Sequence, residues 1–174
     1  MERLSNNQHQ IKNMLPNFTS TGFLPPGHHQ ADWSEFVTRY GNGDRRQLLL
    51  QPIQQILNLL GKAGCTEVRI GGSFVTTKPV PGDFDGVWRL DHVDIKKLPL
   101  ELYGSVDAQP DIFGGAIIPM NWHYTDICDF DKALETNKKG EPVGIVILNP
   151  SDAPIAKPMD RYKRFFEPAT TCSA

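Results

Sequence analysis

An α/β (α+β) domain is predicted by three segments of the chain. Residues 44–63 carry apolar side chains at helical spacing, residues 67–90 read as strand, glycine turn and strand, and residues 143–148 form a β-branched run. The 174 residues suffice for one domain with a hydrophobic core and are short for two.

Residues 1–22 are rich in Asn, Gln, Ser and Thr, with few large apolar groups. Such a segment buries too little surface to offset its ordering entropy, so it reads as a flexible arm, or as an arm that orders on a partner. Leu24-Pro25-Pro26-Gly27 makes a rigid turn into a domain at residues 23–150. Asp32 and Glu35 have capping-box spacing, which predicts a short helix through Trp33, Phe36 and Tyr40, broken at Gly41-Asn42-Gly43. Asp44, with Gln47 at the third position, caps the next helix, which runs to about residue 63 and stops at Gly64. Leu49, Ile53, Ile56, Leu57 and Leu60 form its apolar face, and Pro52 predicts a kink. Strands follow at residues 67–70 and 84–90, separated by the Gly71-Gly72-Ser73 turn. Residues 98–103 read as a short helix, 111–118 as a strand, 126–137 as helical or irregular, and 143–148 as a buried strand ended by Asn149-Pro150. The tail, residues 151–174, is proline-rich and then basic and aromatic from Arg161 to Phe166, which suits docking on the domain or on a partner.

The formal charge of −2 gives no reason to expect strong non-specific binding to nucleic acid. Cys65, Cys128 and Cys172 are scattered and form no C-x-x-C pair, so no zinc or thioredoxin-type motif is indicated. An odd, dispersed set reads as reduced thiols. No run approaches the ~20 apolar residues of a membrane span, and the polar start lacks an apolar signal core. A cytoplasmic protein without membrane contact is the expectation.

The chemistry-bearing residues lie between Ile70 and Trp88. Gly71 and Gly72 have no Cβ, so backbone there can approach a phosphate. Ser73 can start a short helix and donate its hydroxyl to a phosphate oxygen. Asp83 and Asp85 are two apart, which on a strand places both carboxylates on one face, where they can share metal ions. Lys78, between the motifs, contacts phosphate or sits in solvent. The rival calcium-loop reading fails, because Val87 and Ala133 stand where ligands are needed after the two Asp-x-Asp pairs. His28-His29 and His123 read as loop or packing residues, and Lys138-Lys139 as a solvated turn before Gly140.

Gly-Ser, nine intervening residues and Asp-x-Asp resemble the signature of the DNA polymerase β-like nucleotidyltransferase superfamily. The string Gly72-Ser-Phe-Val-Thr-Thr-Lys-Pro-Val-Pro-Gly-Asp-Phe-Asp-Gly86 resembles a small prokaryotic branch of minimal nucleotidyltransferases, as do Leu24-Pro-Pro-Gly-His28, residues 33–36 and Gly64-Cys65. The resemblance implies a palm-like mixed sheet with helices packed on one side. It implies Mg²⁺ on Asp83 and Asp85, and a nucleoside triphosphate held by Gly72 and Ser73, beside which the residue reading places Gly71. It further implies transfer of a nucleoside monophosphate to a protein or RNA acceptor, or an inactive fold serving as a binding partner. Relatives of this kind often act in toxin–antitoxin or phage-defence pairs, which makes a cognate toxin or antitoxin protein an expected partner. Active members add a third carboxylate on a later strand. Asp111, opening the strand expected at 111–118, is the first choice here and Asp107 the second; the strand at 143–148 offers only Asn149.

Overall fold

The computed structural model describes residues 14–120 and 130–165. A five-stranded mixed sheet forms the centre, in the order β1-β5-β2-β3-β4. The strands are β1 (Gly27–Gln30), β2 (Val68–Gly71), β3 (Asp85–Trp88), β4 (Ala116–Pro119) and β5 (Gly144–Leu148). Only β1 with β5 and β3 with β4 run parallel; β2 is antiparallel to both β3 and β5.

Alternation along the strands divides the core in two. Val68, Ile70, Trp88, Ile117, Val146 and Leu148 join a large cluster with α1 (Trp33–Tyr40) and α2 (Asp44–Lys62). Val87, Ile118 and Ile145 point the other way and meet Leu134 and Phe130 of α4 (Phe130–Leu134). The five apolar residues read as the stripe of α2 are all buried, as helical spacing requires. The helix continues through Pro52 as one element of 19 residues.

Local chemistry fixes the helix starts. The Asp32 carboxylate accepts from the Glu35 N–H at 2.7 Å, giving α1 its cap. Glu35 does not complete a reciprocal box; its carboxylate accepts the N–H of Leu15 instead. Arg39 donates to the Leu15 carbonyl at 2.7 Å and stacks over Phe18. These contacts revise the expected arm at residues 1–22. Its second half, from residue 14, is packed on α1, with Leu15 buried and Phe18 against Tyr40. Two apolar anchors and two charged hydrogen bonds outweigh the polar composition. Asp44 lies inside the first turn of α2 rather than capping it; Gly43 holds the cap position. Its carboxylate there still complements the helix dipole.

The chain after β3 departs most from expectation. Residues 111–118 are not one strand. Pro110 initiates α3 (Gln109–Phe113), Gly114 closes it in the left-handed region at φ 81°, and β4 starts only at Ala116. Residues 98–103 reduce to a single 3₁₀ turn over Leu100–Leu102. His28 and His29 belong to an edge strand rather than a loop. The tail docks on the domain: Tyr162 is fully buried against Phe113, and Asn58 of α2 bonds the backbone of Ala153, Pro154 and Ala156. His123, Cys128, Cys172 and Phe166 lie outside the described residues. Cys65 is a buried free thiol, and burial pushes its pKa up. Among the described residues, no helix is long and apolar enough to cross a membrane.

Candidate functional site

The turn after β2 and the first residue of β3 face each other because Gly71 and Asp85 are paired in register. Gly72 then takes φ 65°, a conformation open to glycine at little cost. A Cβ built on it would fall 2.5 Å from Asp85 Oδ2. Glycine is therefore needed twice at this position, for the backbone and for the room that the carboxylate occupies. The substitution Gly72→Ala is expected to cost roughly 1–3 kcal/mol and to push the Asp85 side chain aside. A chemical denaturation curve within a few tenths of a kcal/mol of wild type would contradict that geometry.

Phe84 is buried in the large core, whereas its neighbours Asp83, just before β3, and Asp85, its first residue, line the cleft. Both carboxylates line one cleft of about 930 Å³, together with Gly72, Ser73, Lys78 and Gly82. Desolvation, and secondarily the charge of Asp83, push the Asp85 carboxyl up to about 6. Asp83 and Asp85 are therefore two like charges that repel in a partly desolvated site, and they are the residues that could hold a cation. A hard divalent ion that takes one or two carboxylates and leaves other positions to phosphate oxygens suits this pair. Among the described residues, no group of three His, Cys, Asp or Glu side chains is arranged to hold a metal without such help.

Ser73 lies in the 3₁₀ turn Gly72–Val75 on the cleft wall. Its Oγ is shielded and makes no hydrogen bond among the described residues. The Thr76 hydroxyl donates to the Ser73 carbonyl at 2.8 Å and accepts from the Lys78 N–H, bracing the loop.

The loop is also held from behind, by two residues absent from the sequence-based set of site residues. Arg46 is buried and donates to the carbonyls of Phe74, Thr76 and Lys78 at 2.7, 2.8 and 2.7 Å. Arg45 donates to the carbonyls of Pro81 and Gly82. Adjacent arginines in the first turn of α2 thus grip the connection between the glycine turn and the Asp-Phe-Asp segment. The signal for them in the sequence is an Arg-Arg pair opening an amphipathic helix.

The expected third carboxylate is not placed as anticipated. Asp111 is exposed on α3 and Asp107 is exposed in the preceding 3₁₀ turn, and neither lines the cleft. The residue beside Asp85 on the adjoining strand β4 is Ala116. The Glu141 side chain is the other acid in the cleft lining, and it accepts from Asn137 Nδ2 at 2.7 Å. Lys138 and Lys139 form an exposed turn before Gly140, as expected, and that turn also lines the cleft.

Fold and site together define an α+β domain with a glycine-walled cleft, lined by both carboxylates and lysines, at one end of a β-hairpin. The chain belongs to the family of unknown function DUF6932, which it matches over residues 16–149. No curated protein and no solved structure matches it.

Proposed function

We propose that this protein is a magnesium-dependent nucleotidyltransferase that moves a nucleoside monophosphate from a triphosphate to a protein or RNA acceptor. The carrying observation is that Asp83 and Asp85 share one cleft with Gly72, Ser73 and Lys78, the Asp85 carboxylate lying against Gly72. Asp83 and Asp85 would hold the divalent ion, whose charge offsets that of the phosphates. Gly72 and Ser73 receive the triphosphate, and the apolar lining from Phe23, Leu134 and Val143 offers surface for the nucleoside. In the reaction an acceptor hydroxyl oxygen bonds the α-phosphorus. The bond from that phosphorus to the bridging oxygen breaks, pyrophosphate leaves with the electron pair, and the hydroxyl proton passes to a carboxylate or to water.

A second reading, binding without transfer, is favoured by one observation: Ala116 stands beside Asp85 on β4, where a carboxylate would assist the acceptor hydroxyl. Incubation with each α-labelled triphosphate, magnesium and cell extract separates the two. Label on a macromolecule, lost in Asp83→Ala, supports transfer. Saturable binding with no labelled product supports the second reading. Label transfer that survives Asp83→Ala refutes the metal role.

A further inference from the structure

We infer that the turn joining α4 to β5 is the polyphosphate clamp of the cleft, with Lys138 and Lys139 contacting the β- and γ-phosphates of a nucleoside triphosphate. The inference deepens the nucleotide-site reading and rests on it. The cleft lining already includes Asp83, Asp85 and Glu141, so a triphosphate needs cations beyond a metal ion held by two carboxylates. Arg45 and Arg46 cannot supply them, because their guanidinium groups are committed to loop carbonyls. The cationic side chains lining the cleft are Lys78, Lys138 and Lys139. Among the described residues, neither lysine of the pair forms an ion pair, and both are exposed.

The fold holds this turn firmly next to the glycine wall. Pairing of β5 with β2 brings the start of β5 to the side of the sheet where Gly71 ends β2. Leu134, at the end of α4, packs so closely on Gly71 that an added Cβ would meet it at 3.0 Å. The turn itself is built around Asn137, whose Oδ1 accepts from the N–H groups of Lys139 and Glu141 at 2.9 and 3.0 Å. Its backbone also exchanges hydrogen bonds with Glu141 and Gly140. A rigid base with two long, solvated ammonium stems suits a ligand whose charge is multiple and whose geometry varies along the chain of phosphates.

Titration calorimetry with magnesium and ATP, GTP, CTP or UTP, and in parallel with AMP and inorganic tripolyphosphate, tests the assignment. The double variant Lys138→Ala/Lys139→Ala should bind triphosphate and tripolyphosphate roughly 10- to 100-fold more weakly. Its affinity for AMP should stay within about twofold, so the preference for triphosphate over monophosphate collapses. Lys138→Arg/Lys139→Arg should retain the preference. An unchanged melting curve is expected of the double alanine variant, since both side chains are solvated. Triphosphate affinity equal to wild type in that variant, with binding still lost in Asp83→Ala, overturns the lysine assignment and leaves the nucleotide site standing. Failure of the wild-type protein to bind any of the triphosphates overturns both.

Discussion

Replacing Arg46 by alanine should destabilise the protein by about 3–5 kcal/mol and disable the cleft without altering any residue that lines it. Arg46 is 5% exposed, and its guanidinium donates to four carbonyls including that of Tyr40 and lies 5.2 Å from the Phe74 ring centroid. Burial lowers its pKa, with the charge of Tyr40 acting in the opposite sense. Its partners are dipoles, so the site depends on several well-aimed hydrogen bonds at once. Deleting the side chain leaves those carbonyls without a donor, at about 1 kcal/mol or more apiece where water cannot replace it. The residual cavity adds to the cost. Residues 74–78 should then loosen, carrying Ser73 and Lys78 out of register with Asp83 and Asp85. Arg46→Lys keeps the charge but presents no planar fork and should recover only part of the loss. Arg45→Ala, which removes bonds to Pro81 and Gly82 from a less buried side chain, should cost about 1 kcal/mol. Urea denaturation decides the matter: an Arg46→Ala protein within about 1 kcal/mol of wild type would show the four bonds to be incidental.

The contrast between Arg46 and the residues expected in the cleft shows which features a sequence carries locally. The helix stripe of α2, the cap at Asp32 and the strand at β5 rest on neighbours a few positions away, and each is found close to its expected place. The same holds for Gly72 with Asp85, since a hairpin register is a local property; Asp83 falls just before β3 rather than on it. Strand β1 is not legible in Gly-His-His-Gln, which has no strand signature; pairing with β5, distant in sequence, creates it. The place of Lys138 and Lys139 depends likewise on β5 lying beside β2. The apolar run after Asp111 suggests a strand there, although Pro110 and Gly114 bracket a short helix. Arg46 falls on the polar side of a hydrophobicity count, and only the folded loop makes it a buried donor.

Asp85→Asn should make the metal-free protein more stable at pH 8 and abolish its response to magnesium. The folded-state pKa of about 6 exceeds the ordinary value of 3.8, with desolvation the main cause and Asp83 the lesser. A raised carboxyl means that the native state binds this proton more tightly than the unfolded chain does. Between the two values, stability attributable to Asp85 therefore falls as pH rises; it is fully present below about pH 4 and gone above about pH 6. At pH 8 the ionised group sits at its maximum penalty, on the order of 1–3 kcal/mol. The amide, of nearly the same shape and without charge, escapes that penalty. The melting temperature of the variant in EDTA at pH 8 should exceed that of wild type by roughly 3–9 °C, with the gap closing as pH is lowered toward 4. Magnesium with a triphosphate should raise the wild-type melting temperature, because a ligand of the native state draws the equilibrium toward it. A carboxamide cannot supply the anionic oxygen, so the same addition should leave the variant unmoved. On the proposed reading, a bound cation would offset this cost. Equal stability of the two proteins across pH 4–8 would remove the penalty on the ionised Asp85, and with it the physical reason to place a metal ion between Asp83 and Asp85.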